Sequence, residues 1–226
     1  MSAGKMFTIV SVATPDYART WSFCIASHRA YCDVNGIEYG LFSGSGQPLH
    51  PKWSKLHYTL DALASADGVM LLDADAEFAP TCPHFGNLLN EYPAADILYA
   101  NGVSGRLNSG VVIFRGGASS VASDFLLRCL EQRTTPVKSA NFVTTEGENG
   151  HLIEIMQEER FRSKAAVLSR DWNCTVPEGF DSAHIRHYTD KLRSALDNGK
   201  LPRRRPLASY QRLFSRGVSR LAKRFR

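Results

Sequence analysis

Long apolar runs, paired cysteines and late acidic residues are all scarce in this 226-residue sequence, and each shortage excludes something. No window approaches the roughly 20 consecutive apolar residues of a membrane-spanning helix. The apolar run in the N-terminal MSAGKMFTIVSVATPDY is too short for a secretory leader and is expected to read directly into a strand. The five cysteines (Cys24, Cys32, Cys82, Cys129, Cys174) are odd in number, scattered and never spaced as CxxC. That argues against a disulfide framework or a zinc knuckle and for a reducing compartment, so a cytoplasmic protein is expected. Neither an internal repeat nor a low-complexity linker interrupts the chain. Acidic residues stop at Asp197, whereas ten of the 27 Lys and Arg fall from Lys200 to Arg226. The net charge of +5 therefore hides a body of about −5 and a tail of about +10. This is a localised basic device, and no nucleic acid is expected as a partner.

What is present is the material of a folded domain. The 43% hydrophobic and 10% aromatic content are those of a globular chain long enough for one good-sized core or two small ones. MFTIVSVAT (6–14) reads as a buried strand, and Pro15-Asp16 opens a helix. Its apolar positions Tyr17, Trp21, Cys24, Ile25, His28, Tyr31 and Cys32 recur at helical spacing until Asn35-Gly36. IEYGLFS (37–43) is the next strand, completing a βαβ unit. GSGQPLHP reads as a loop, and a helix is expected at about 52–66 before the strand GVMLLD. Further on come a short helix in PHFGNLLNEY, the strand DILYA and the strand LNSGVVIFR (107–115). A helix from about Ser119 to Gln132, a helix near 148–160 and the short strand AAVLS complete the pattern. This alternation predicts an α/β domain with a mostly parallel sheet, with ligands beyond the carboxyl ends of its strands.

One such strand end is unusual. GVMLLDADAEF runs from apolar residues straight into Asp73, Asp75 and Glu77, three carboxylates at alternate positions. Hard oxygen ligands of this kind suit Mg²⁺ or Mn²⁺, held together with substrate phosphates. The plain alternative is a surface turn carrying solvated acids. A hydrophobic strand ending in Asp-x-Asp also opens phosphatases with an aspartyl-phosphate nucleophile, but there it stands on the first strand with Thr or Val where this chain has Glu77.

Four stretches in order, VATPDY, HPKWSKLHYTLDAL, MLLDADAEF and LNSGVVIFR, together resemble the GT-A type of nucleotide-sugar-dependent glycosyltransferase. They are similar to the glycogenin-like enzymes and to the galactosyl/mannosyl/xylosyltransferases of yeast mannan and plant xyloglucan, over about residues 6–160 and more weakly to about 191. The resemblance implies a single GT-A domain (1–200), a Rossmann-like α/β fold with a mostly parallel sheet, followed by a basic tail (201–226). It implies that Asp73 and Asp75 hold Mn²⁺ or Mg²⁺ against the donor diphosphate, and that Lys55 reaches the donor phosphate or sugar. Thr14 and Tyr17 would line the base and ribose, although Tyr17 also falls on its helix's apolar face. Asn108, Ser109 and Gly110 would face the sugar, with Gly110 allowing close backbone approach. Glu148-Asn149 stands where the family has an acid-Gln pair on the transferred sugar. Glu146 and Glu148 also suit a helix N-terminus. A late His-aromatic segment followed by Lys would complete the metal and diphosphate contacts. HIRHYTDK offers His184 or His187, with His187 favoured because Tyr188 follows it, and Lys191 or Arg186 as the cation.

In the tail, Leu207, Tyr210, Phe214, Val218, Leu221 and Phe225 share one helical face, with Arg212, Arg216, Arg220, Lys223 and Arg226 opposite. Such a helix suits an anionic membrane interface. Packing on its own domain, or docking on an acidic partner or RNA, are the alternatives. The combined expectation is a metal-dependent, retaining glycosyltransferase at the inner face of the cell membrane. Its donor would be a UDP-sugar before a GDP-sugar, and its acceptor a saccharide or lipid-linked saccharide of a surface polysaccharide or glycolipid. A catalytically silent nucleotide-sugar binding module is the main non-enzyme alternative.

Overall fold

The computed structural model describes residues 6–43, 49–117, 120–144 and 147–201. Residues 44–48 of the expected loop GSGQPLHP, Glu146 and the expected amphipathic tail from 202 onward lie outside the described residues. Six strands form the main sheet in the order β2-β1-β3-β6-β5-β7. They are β1 (Phe7–Val12), β2 (Glu38–Phe42), β3 (Gly68–Leu72), β5 (Ile97–Asn101), β6 (Leu107–Arg115) and β7 (Ala165–Leu168). Two short strands, β4 (Ala76–Phe78) and β8 (Ile185–His187), pair antiparallel in a separate ribbon. The helices are α1 (Pro15–Thr20), α2 (Ser22–Asn35), α3 (Pro51–Leu63), α4 (Gly86–Glu91), α5 (Val121–Glu131), α6 (Asn149–Ile155), α7 (Glu159–Arg162) and α8 (Asp190–Asp197).

Alternation along the strands divides the core into two layers. Ile9, Met70, Leu72 and Ile113 pack with α2 residues Tyr31 and Cys32 and with Phe78 and Phe85 on one face. Val10, Val69, Leu71, Val112 and Phe114 pack with Leu56 and Leu63 of α3 and Phe125 of α5 on the other. Because both faces are covered, β3 is buried at every position, and its sequence shows no polar alternation.

Two departures from the expected elements matter for the site. The helix foreseen from Pro15 divides at Trp21, whose backbone (φ −103°, ψ 27°) turns the chain between α1 and α2. Trp21 is buried, stacking on Tyr188 with ring centroids 5.6 Å apart, while Tyr17, in the first turn of α1, is 37% exposed. Secondly, β6 runs antiparallel to both of its neighbours, β3 and β5, in an otherwise parallel sheet. The register pairs Leu72 with Val111, so the start of β6 lies against the carboxyl end of β3. Asn108, Ser109 and Gly110 thereby arrive beside Asp73, whose amide donates to the Gly110 carbonyl at 2.9 Å.

Candidate active site

After β3 the chain turns sharply, with the Ala76 amide donating to the Asp73 carbonyl at 3.0 Å. The turn ends the strand before the three acids can share one face. Asp73 and Asp75 point toward a common centre, and Glu77 enters β4. There it accepts the Tyr188 hydroxyl at 2.5 Å and lies 3.7 Å from the Arg186 guanidinium, away from the other two. The β4–β8 ribbon pairs Ala76 with His187 and so brings this imidazole across from the turn. Its Nε2 lies 3.4 Å from Asp75 Oδ1 and 3.7 Å from Asp73 Oδ2. Ligand atoms of Asp73, Asp75 and His187 all lie within 4.8 Å of one another. His184, on the other side of β8's start, packs against Trp172 at 5.0 Å and is not in this group.

Each carboxylate also has a fixed outer partner. Asp75 Oδ2 accepts from the Tyr17 hydroxyl at 2.8 Å and from Arg193 at 2.6 Å. Asp73 Oδ1 accepts from Lys55 Nζ at 2.7 Å. Lys55 is only 6% exposed and makes a second 2.7 Å contact to Glu148. Glu148 is itself buried and accepts the Ser109 hydroxyl at 2.6 Å. Asn149 accepts the Ser109 amide at 2.8 Å, so α6 begins directly on the start of β6.

Charge explains the protonation states. Burial would lower the Lys55 ammonium, but Asp73 and Glu148 outweigh it and hold the side chain charged. Burial opposes ionisation of Glu148, but Lys55 and Ser109 pull it below the ordinary range. Asp75 is drawn down to about 2 against its own burial, by His187, Tyr17 and Arg193. Burial pushes the Asp73 carboxyl up, with Lys55 and His187 pulling the other way. Three carboxylates, Asp75 and Glu148 buried and Asp73 partly so, face two cations, Lys55 and Arg193. This excess of negative charge, presented through two carboxylate oxygens and one imidazole nitrogen, fits a divalent cation of the Mn²⁺ or Mg²⁺ type.

Several of these residues also meet partners within the protein. Lys55 is enclosed between Asp73 and Glu148, and Thr14 uses its hydroxyl to cap α1 by accepting the Tyr17 amide at 3.4 Å. Gly110 makes room for a side chain of this protein: a Cβ there would stand 2.1 Å from His187 Cε1. Lys191 is exposed on α8, and the structure does not bring it to the acids. Arg193 reaches them instead, because residues two apart on a helix are turned about 200° from each other. Arg193 also donates to the Tyr188 carbonyl at 2.8 Å and lies over the Trp21 ring at 5.1 Å. Sequence reading missed both Arg193 and Asn173, which meets His187 Nδ1 at 3.0 Å. Arg193 could have been sought as a cation in the first turn of the helix that follows the His-aromatic pair, whereas Asn173 carries no signal of its own.

No protein-family model and no curated protein sequence matches the chain. Solved structures do match in fold. A glycosyltransferase involved in the glycosylation of the major capsid of PBCV-1 superposes with a TM-score of 0.64 at 15% identity, covering 86% of this chain and 98% of that one. The glycosyltransferase GlyE of Streptococcus pneumoniae TIGR4 gives 0.60 at 12% identity, covering 98% of this chain and 64% of its own. The bifunctional glycosyltransferase WbbM gives 0.57 at 10% identity, covering 84% and 47%. The chain thus spans almost the full length of the first and less than two thirds of the other two. Its architecture, six strands with β6 reversed and a two-stranded ribbon across the carboxyl edge, is the GT-A fold.

Proposed function

We propose that the protein is a metal-dependent glycosyltransferase that moves a sugar from a nucleotide-diphosphate sugar to a saccharide or lipid-linked saccharide. The observation that carries this reading is the Asp73–Asp75–His187 group at the carboxyl edge of the sheet, next to the start of β6. In a GT-A fold that corner is where a donor diphosphate and a divalent ion meet. When bound there, Mn²⁺ or Mg²⁺ supplies Lewis acidity that stabilises the charge growing on a departing nucleoside diphosphate.

The chain's own residues divide the remaining work. Asp73, Asp75 and His187 hold the ion, and Tyr17 with Thr14 flanks the nucleoside from the start of α1. Arg193, rather than the exposed Lys191, supplies the cation on the diphosphate side. Lys55 and Glu148 keep Asp73 and Ser109 in place from below. Asn108, Ser109, Gly110 and Asn149 form the wall toward the transferred sugar.

By likeness to the GT-A relatives named above, transfer retains the anomeric configuration and UDP-sugar is the first donor to test, before GDP-sugar. Residues 1–200 form the catalytic domain, and 201–226 hold it to an anionic membrane from the cytoplasmic side, as an enzyme of surface polysaccharide or glycolipid synthesis. A lipid-linked acceptor is supported by Val103, Phe142 and Val143, which are exposed on two segments adjoining the start of β6 and of α6. Those segments are tied together by Arg106 donating to the Ala140 carbonyl at 2.5 Å.

The test is nucleotide release from a panel of nucleotide sugars with and without Mn²⁺. Asp75→Ala is expected to abolish turnover and metal-dependent nucleotide binding while the fold persists by circular dichroism. Undiminished release by this variant, or no release by the wild type from any donor, would refute the reading.

A further inference from the structure

His187 can serve as a ligand through Nε2 only if its proton sits on Nδ1, and the structure contains a chain of contacts that dictates this. The Gly110 amide is a donor without ambiguity, and it lies 3.0 Å from the Asn108 side chain, which must therefore present Oδ1. The Asn173 atom 2.9 Å from that same Oδ1 must in turn be Nδ2, donating. The other end of the Asn173 carboxamide is then Oδ1, an acceptor, and it faces His187 Nδ1 at 3.0 Å. Nδ1 must carry hydrogen whatever the charge of the ring, so the lone pair that a metal ion would take is the one on Nε2, the nitrogen that faces Asp73 and Asp75. Asn173 is 1% exposed and His187 4%, so the link between them is closed to bulk water.

We propose that Asn173 is the positioning residue of the metal-binding imidazole, and that Asn108 sets the orientation of Asn173. This rests on the metal-assisted reading of the site and deepens it. It also gives Asn108 a second duty. Its carbonyl oxygen is committed to Gly110 and Asn173, so any contact it makes to a sugar comes from its amide nitrogen.

The Asn108–Asn173 pair links three distant parts of the chain. Asn108 opens β6, Asn173 lies in the short turn at Arg170–Asn173 and His187 closes β8. A change at Asn108 would therefore reach the metal without touching the imidazole.

The experiment is a titration of the full-length protein with Mn²⁺ alone, read by electron paramagnetic resonance, with the nitrogen coupling of a bound imidazole recorded in pulsed mode. Asn173→Leu is expected to weaken Mn²⁺ binding by about 10- to 100-fold and to lose the nitrogen coupling. Asn173→Asp, which still accepts from Nδ1, is expected to stay within a few-fold of the wild type. Asn108→Asp accepts both N–H groups and is expected to bind Mn²⁺ like the wild type, whereas Asn108→Leu binds it more weakly. An Asn173→Leu protein that folds, binds within twofold of the wild type and keeps its nitrogen coupling would overturn the proposal. Should that variant fail to fold, equal affinities for Asn108→Asp and Asn108→Leu would overturn it instead. Because no nucleotide sugar is present, a protein that binds Mn²⁺ in this pattern yet cleaves no donor refutes the transferase reading and leaves the positioning role standing.

Discussion

At Gly110 a single hydrogen decides whether the imidazole of His187 can occupy its place. The ring packs against the β6 backbone, and an added methyl would meet Cε1 at 2.1 Å and Nδ1 at 2.3 Å. The ring cannot retreat cheaply, since it is buried and its Nδ1 is held by Asn173. Gly110→Ala is therefore expected to cost about 1–3 kcal/mol of stability, as overpacking of a dense interior does. It should also weaken Mn²⁺ binding, and thermal unfolding with and without the metal separates the two effects. Asp73, Asp75 and His187 were legible because short motifs place them, an apolar strand before Asp-x-Asp and a histidine before an aromatic residue. Asn173 and Arg193 were not. They stand in irregular sequence or at a helix position that nothing periodic marks, and only the three-dimensional crossing of β8 over the strand ends brings them in. Lys55 was legible as a residue of interest, but its burial between two acids was not, because a sequence does not show which carboxylate a long side chain will meet.

The ribbon carrying Asp75's neighbours is anchored from α2, and this anchoring sets a pH dependence. His28 is fully buried, with Nε2 2.6 Å from the Ala76 carbonyl and Nδ1 3.0 Å from the Tyr39 hydroxyl. Next to it, Ser27 accepts the Phe78 amide at 3.0 Å, so consecutive α2 residues grip both ends of β4. Burial, partly offset by the Ala76 carbonyl, lowers the His28 imidazole from its ordinary 6.5 to about 4. The unfolded chain takes up this proton as pH falls below about 6.5, and the folded chain resists until about 4. The contribution is thus complete above about pH 6.5 and lost on acidification toward pH 4, up to about 3 kcal/mol. Urea unfolding between pH 7 and pH 4 should show this slope in the wild type and a flatter one in His28→Gln. Most elements could be read from apolar periodicity, including both long helices and the buried strands. Strand direction could not: an apolar run such as VVIF packs equally well either way, and the reversal of β6 is decided by its partners. The break at Trp21 was hidden too, because the apolar spacing runs through it without interruption while the indole turns inward.

Across the whole molecule, acidic and basic residues are distributed unevenly along the chain, with the positive charge gathered after Asp197. No helix of the described residues is long and apolar enough to cross a membrane. If the final 24 residues hold the domain to an anionic bilayer, removing 203–226 should abolish co-sedimentation with phosphatidylglycerol vesicles and spare cleavage of a soluble donor. Vesicle binding by the shortened protein would refute that role. Salt gives an internal control, since attraction between a basic segment and anionic lipid is screened within about 8 Å at physiological ionic strength.

The five cysteines are all buried and unbridged, and four of them are spread through the three parts of the core. Cys32 and Cys82 lie in the layer under α2, Cys129 in the layer under α3 and α5, and Cys24 beside Trp21 and Tyr188. Burial also pushes the Cys32 thiol up to about 12 and that of Cys82 well above its ordinary range, so neither is readily a thiolate while the layers stay closed. A mild thiol-directed reagent therefore finds no exposed cysteine among the described residues, and whichever of these four thiols reacts first names the layer that parted.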